Sequence, residues 1–107
     1  MKAKIISLTS NEIWPLLNVL NEVCNGISIE NFEERMGSKK EDVISLMNRI
    51  AEEEQKEESL ISLSKIDIEI LKKSFELLFK YIDEWEFETR VGISVEDANS
   101  LKNKLVG

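Results

Sequence analysis

The chain has 107 residues with 14 basic and 21 acidic side chains, a formal net charge of −7, one cysteine and no histidine. This length suits one domain. The excess of acidic side chains argues against binding to nucleic-acid phosphates or to anionic membrane surfaces, and it favours basic partners. The single Cys24 excludes an internal disulfide, no run approaches the roughly 18 apolar residues that cross a bilayer, and the first eight residues lack a signal-peptide pattern. We therefore expect a cytoplasmic protein without membrane association.

The first half of the chain predicts a strand and three helices. The predicted elements are a strand at 2–8, a long helix starting between Thr9 and Glu12, a short helix at Ile29–Met36 and a third helix starting at Ser38. Thr9 with Glu12, and Ser38 with Glu41, have the spacing of a capping box. Pro15 fits the long helix only if that helix begins near Asn11 or Glu12, because an earlier start requires an N–H that proline lacks.

The second half predicts the same order of elements. These are a strand at 60–63, a long helix from Ser64 with Asp67, a short helix containing Trp85 and Phe87, and a last helix from Ser94 with Asp97. Between the halves, residues 52–58 carry five glutamates and no apolar residue, a composition typical of a solvated helix end and linker. This acidic stretch marks the boundary between two units.

An internal repeat relates the two halves. Residues 32–37 read Phe-Glu-Glu-Arg-Met-Gly and residues 87–92 read Phe-Glu-Thr-Arg-Val-Gly, an offset of 55. At that offset 14 of the 44 positions from Ser7 to Ile50 are identical to their counterparts, where about three would match by chance. The sequence predicts a mainly α single domain, 1–107, made of two tandem three-helix repeats (about 1–53 and 54–107). The repeats would share a core around a pseudo-twofold axis, with a small two-stranded antiparallel ribbon.

The repeated six-residue motif at 32–37 and 87–92 is best explained by a structural role. Phe32 and Phe87 are expected to be core anchors, and the glycine that ends each copy of the motif is expected to supply a turn with positive φ. Arg35 and Arg90 are expected to pair with the acids at the start of the following helix. The alternative for both arginines is a site for anions or carboxylates.

A cluster of acids and aromatics in the second half is the candidate contact surface. Residues 83–88 read Asp-Glu-Trp-Glu-Phe-Glu. Since residues two apart on a helix point in different directions, Trp85 and Phe87 do not both face inward. The sequence leaves two positions open for Trp85: it fills the seam between the repeats, or it lies partly exposed among the carboxylates and anchors a partner. The predicted partner-binding residues are Asp83, Glu84, Trp85, Glu86 and Glu88, with Glu53 and Glu57 as a second acidic edge.

Catalytic and cofactor motifs are missing from the sequence. Without histidine, and with Cys24 inside an apolar helical stripe, nucleophilic dyads are nearly excluded. No glycine-rich phosphate loop is present, and the acidic stretches lack the spacing and glycine of a calcium loop. We expect no enzymatic activity, no cofactor and no metal.

Two resemblances bear on function. The short helix, Gly-x-Ser turn and third helix resemble a helix-turn-helix unit, which implies a DNA-binding regulator that uses Lys39, Lys40 and Arg49. Acids at the start of each third helix have the wrong sign for approaching phosphate, so this stays the alternative function.

The second resemblance covers nearly the whole chain. The segment Leu-Asn-Glu-Val-Cys-Asn-Gly-Ile at 20–27, followed by Phe32-Glu33-x-Arg35-x-Gly37, resembles small bacterial proteins of unassigned function. In size and acidity the chain is also similar in kind to immunity proteins, which cover the active sites of basic nuclease toxins. That similarity implies an acidic, non-catalytic binding protein, monomeric or homodimeric, whose partner is a basic protein such as a secreted toxin domain.

Overall fold

The computed structural model describes residues 4–53 and 58–106. Its elements are β1 (Lys4–Thr9), α1 (Ser10–Asn21), a π-helical turn (Glu22–Gly26), α2 (Phe32–Met36), α3 (Lys40–Ala51), β2 (Glu58–Leu63), α4 (Lys65–Tyr81), α5 (Glu84–Val91) and α6 (Val95–Val106). The described part of the chain is mainly helical with a small two-stranded antiparallel sheet. This architecture confirms the predicted mainly α fold with a small two-stranded antiparallel ribbon.

The bounds of the helices recur at the offset of the sequence repeat. Helix α1 with its π-helical turn spans 10–26, and α4 spans 65–81. Helix α3 spans 40–51 and α6 spans 95–106, while the short helices α2 and α5 end at Met36 and Val91. Each pair of bounds differs by 55, which agrees with two copies of one unit.

The strand register is centred on one pair of repeat counterparts. Ile6 of β1 pairs with Ile61 of β2, its counterpart 55 residues later. Both side chains face the core, whereas Ile5 and Leu60 lie on the outer face with 67% and 70% of their surface exposed. An axis through the Ile6–Ile61 pair would produce this register, and the twofold relation between the repeats stays our prediction.

Helices of the two halves pack across each other. Helix α1 contacts α3 of its own half and α5 of the other, and α4 contacts α6 and α2 in the same way. The core contains residues from both halves, among them Leu16, Leu20, Phe75 and Phe87, all fully buried. Since neither half buries its apolar side chains alone, each depends on the other for stability.

Ion pairs at matched positions of the repeat also cross between the halves. Arg49 at the end of α3 places its Nη2 2.7 Å from Oδ1 of Asp67, and Lys104 at the end of α6 places its Nζ 2.8 Å from Oε2 of Glu12. Arg49 and Lys104 are repeat counterparts, as are Glu12 and Asp67. Each acid also accepts a backbone N–H at the start of a long helix, so one carboxylate both caps the helix and holds the other half.

The helix starts agree with the capping signals except at α3. Ser64 and Asp67 exchange two hydrogen bonds, Ser64 N–H to the carboxylate at 3.0 Å and Asp67 N–H to the hydroxyl at 3.1 Å. At α3 the carboxylate of Asp42 accepts from the N–H of Lys39 at 3.2 Å, so the capping residue is Lys39 rather than the predicted Ser38, and the helix begins at Lys40. Ser38 is instead buried.

Two local predictions differ from the structure. Helix α1 begins at Ser10, so Pro15 lies inside it and leaves the Asn11 carbonyl without its helical N–H donor. Pro15 is buried, so the helix lacks this hydrogen bond at a position where the proline ring packs inside the protein. The short helix begins at Phe32 rather than Ile29, because Asn31 takes a left-handed conformation (φ 54°) that a helix does not continue through.

Candidate protein-binding surface on helix α5

Helix α5 is held in place by its buried face. Phe87 and Val91 are fully buried, and the ring of Phe87 lies 5.4 Å from that of Phe79 on α4. Phe79 in turn lies 6.1 Å from Phe75, so three rings form a continuous aromatic row. The row fixes which face of α5 is turned outward.

Polar contacts hold the carboxyl end of α5 against α1. The side-chain amide of Asn18 donates to the carbonyl of Val91 at 2.8 Å. Arg90 donates from Nη2 to the carbonyl of Gly26 at 2.9 Å, and the same nitrogen lies 2.5 Å from Oε1 of Glu22. These hydrogen bonds give donors to the carbonyls of Val91 and Gly26, the last residues of α5 and of the π-helical turn. They leave little freedom for α5 to rotate.

The predicted partners of Arg35 and Arg90 were wrong. Arg90 pairs with Glu22 in the π-helical turn rather than with an acid at the start of α6. Arg35 donates from Nε to the carbonyl of Glu30 at 3.1 Å. Arg90 has a partner from the other half because α5 packs on α1, a cross-contact that sequence spacing does not reveal.

The outward face of α5 combines an indole with carboxylates. Trp85 is 79% exposed, and Asp83, Glu84 and Glu88 are exposed around it. Glu86 is half-buried. The structure therefore brings five of the predicted site residues together at one helix, with Trp85 at the surface and not in the seam between the repeats. Asp83 is the residue that precedes the first turn of α5, where negative charge is favoured.

The second acidic edge is separate from this cluster. Glu53 follows the end of α3 and is half-buried, and its carbonyl accepts the Ser59 hydroxyl at 2.9 Å. It lies in a groove beside β2 that contains Leu46 and Leu60 but no residue of α5. Glu57 lies outside the described residues.

A larger groove follows the π-helical turn. It has a volume of about 840 Å³ and is lined by Cys24, Phe32 and the start of α3, including Lys40. Burial raises the pKa of the Cys24 thiol, and the charge of Lys40 offsets part of that rise. Cys24 is thus a buried neutral thiol, in line with its predicted place in the apolar stripe.

A third groove escaped the sequence reasoning. It has a volume of about 300 Å³ and lies beside Gly37, between the end of α2 and the start of α4. The sequence contained one signal for this groove, because Glu69 occupies the repeat position at which the first half has Trp14.

Within residues 4–53 and 58–106, no group of three or more His, Cys, Asp or Glu side chains is placed to hold a metal ion. None of the helices there has the length and apolar character needed to cross a bilayer. Comparison of the chain with protein-family models, with curated proteins and with solved structures finds no match.

Proposed function

We propose that this chain is a non-catalytic binding protein that places α5 on a basic protein partner. The supporting observation is Trp85, which is 79% exposed on a helix whose opposite face is fully buried. Leaving an indole in water has a free-energy cost that burial in a partner would recover, and tryptophan is enriched among residues that dominate binding energy. The fixed position of α5 lowers the entropy that binding would cost.

The chemistry of the partner follows from the carboxylates around the ring. Asp83, Glu84 and Glu88 are exposed next to Trp85, and the whole chain carries a net charge of −7. Such a face attracts a basic surface over long range, which raises the association rate and makes it fall with salt. In its most concrete form, the proposal is an immunity protein that covers the basic active-site cleft of a nuclease toxin.

The DNA-binding alternative gains little support from α3. Lys39 and Lys40 are exposed at the start of that helix, but Glu41 and Asp42 beside them are exposed too. The guanidinium of Arg49 is engaged by Asp67. A retardation assay with duplex DNA at low salt tests the alternative, and a salt-sensitive shift lost on changing Lys39 and Lys40 would favour it over protein binding.

The proposal predicts that a gene beside this one encodes a basic nuclease domain, and the principal experiment uses that domain as the probe. Its complex with the chain is measured by titration calorimetry at low and high salt. We expect a tight complex that weakens with salt, and a dissociation constant raised about 30-fold by Trp85→Ala, the effect of losing one central aromatic anchor. Growth of cells making the nuclease should be restored by the wild-type chain.

Paired charge reversals separate this face from general electrostatics. Glu84→Lys with Glu86→Lys changes two acids in the first turn of α5, and Glu96→Lys with Asp97→Lys makes the same change in the first turn of α6. We expect the α5 pair to weaken binding at least tenfold more than the α6 pair. Equal effects of the two pairs would contradict the proposed face, and a neighbouring gene with no basic product would contradict the immunity role.

A further inference from the structure

The two glycine corners of the repeat differ in what covers them. At the turn between α5 and α6, Gly92 has φ 98°, and a Cβ built there would lie 2.7 Å from Cζ3 of Trp14. The indole of Trp14 therefore rests directly against the backbone of this corner. Trp14 is 54% exposed, so one side of its ring covers the corner while the other side faces solvent.

The matching corner in the other half has no such cover. Gly37 has φ 71°, and the nearest atom that a Cβ there would meet is Cε of Lys73 at 4.0 Å. Glu69 occupies the position that corresponds to Trp14. The result is the groove of about 300 Å³ lined by Met36, Gly37, Ser38, Lys65, Ile66, Glu69 and Lys73.

The lining of this groove indicates what it would accept. Met36 is 1% exposed and forms an apolar wall of the groove, and Ile66 in the first turn of α4 lines it with 60% of its surface exposed. Lys65 and Lys73 stand at the groove with one carboxylate, Glu69, between them in sequence. A flat apolar ring with negative charge around it matches both features.

The chain itself carries such a ring. Trp85 is 79% exposed, so it does not fill the groove of its own molecule, and Asp83, Glu84 and Glu88 flank it. We propose that the groove beside Gly37 takes the Trp85 indole of a second copy of this chain. The ring would occupy the place that Trp14 occupies at Gly92, and the carboxylates would face Lys65 and Lys73.

The proposal goes beyond the proposed function, because the groove residues have no part in binding a basic partner. The donated ring and the accepting groove are different surfaces, so the contact is heterologous. A basic partner that binds α5 would compete with self-association for the same indole. Free chain would then be stored with its binding face covered.

Sedimentation equilibrium of the whole chain at rising concentration and low salt tests the proposal. We expect self-association that weakens with salt. Trp85→Ala removes the ring, and Glu69→Trp fills the groove as Trp14 fills its counterpart, so each should raise the dissociation constant at least about tenfold. Glu69→Ala changes the charge as Glu69→Trp does but leaves the groove open, and it should keep the association.

A mixing experiment gives the sharpest outcome. The Trp85→Ala chain keeps its groove, and the Glu69→Trp chain keeps its ring, so the two should form a one-to-one complex although each alone is monomeric. Leu60→Ala, on the exposed sheet face, should leave wild-type association unchanged. A wild-type chain that stays monomeric, a mixture that does not associate, or association lost with Leu60→Ala instead would each overturn the proposal.

The same variants separate this inference from the proposed function. Glu69→Trp should bind the basic nuclease with wild-type affinity while losing self-association. Trp85→Ala should lose both. If Glu69→Trp abolished self-association but Trp85→Ala bound the nuclease normally, the proposed function would fail and the groove would stand. If nuclease binding depended on Trp85 while the wild-type chain stayed monomeric, only the proposed self-association through the groove would be refuted.

Discussion

The two short helices lie at matched positions of the sequence repeat but differ in length and surroundings. Helix α2 has five residues and α5 has eight, and each ends at a glycine with positive φ. The additional residues of α5 precede the repeated motif and include Glu84 and Trp85, whereas the equivalent stretch before α2 is not helical. Positions that the copies share form the corner, and positions that they do not share form the candidate surface. Three comparisons between matched positions test this division.

The largest difference is expected at the shared phenylalanines. Phe87 is fully buried against Phe79, whereas Phe32 is half-buried with Nζ of Lys40 5.9 Å from its ring centre. Phe87→Ala should lower the free energy of unfolding by about 3–5 kcal/mol, and Phe32→Ala by roughly half as much, since it empties less protein interior. Urea denaturation measures both. Equal losses would mean that the copies diverge less in their cores than in their surfaces.

The next difference is expected at the glycine corners. An alanine at either corner must hold a positive φ, which costs about 1–2 kcal/mol. Gly92→Ala also places a Cβ against the Trp14 ring, while Gly37→Ala meets open space. We expect Gly92→Ala to destabilise the chain by about 1 kcal/mol more than Gly37→Ala.

A double-mutant cycle identifies the source of that extra loss. Trp14→Ala combined with Gly92→Ala should recover the excess, because the ring that clashes is gone. If the two single effects simply add in the double variant, the ring does not contact the corner as the structure places it.

The smallest difference is expected at the cross-half ion pairs. The Asp67 side chain is 9% exposed and that of Glu12 is 29% exposed. Asp67→Asn should cost about 1–2 kcal/mol because it removes a charge-assisted bond that is partly shielded from water. Glu12→Gln should cost about 0.5 kcal/mol, the range of a solvent-screened pair. Thermal unfolding at low salt resolves the order, and a larger loss at Glu12 would contradict it.

The Glu12 pair should also carry a pH signature. Burial acts to raise the pKa of Glu12, but the hydrogen bonds from Lys104 and the Thr9 N–H, with the charge of Lys104, lower it below its ordinary value. A lowered folded-state pKa adds stability that is present above the unfolded pKa and is lost as pH falls through the folded one. The stability difference between wild type and Glu12→Gln should therefore be constant near neutrality and shrink in acid. A constant difference down to the acid end would refute this assignment.

Much of the fold was predictable because its signals are local. The capping pair of Ser64 and Asp67, and the glycines at 37 and 92, specify helix ends through interactions within a few residues. Contacts between the halves were not predictable in the same way. Arg90 pairs with Glu22, far away in sequence, because α5 packs on α1, and spacing along one helix does not encode that packing.

The candidate surface was predictable only in part. Helical geometry at Trp85 and Phe87 predicted that one ring faces solvent, since the residues are two apart. It did not predict the groove at Gly37, which is defined by a ring that is missing from one copy. An absent side chain leaves no pattern in the sequence unless the two copies are compared position by position.

The strand pairing also has a consequence for folding kinetics. Most helix contacts can form early. Pairing of β1 with β2 comes later, because Lys4 pairs with Leu63 more than half the chain away. Closing that loop costs entropy before the strands gain any hydrogen bonds, so the chain should fold more slowly than a helical bundle of its size. On the ribosome, β1 would emerge early with Ile6 unpaired until the second strand is made. During that interval the first strand is an open edge, the form of backbone most prone to pair with another chain.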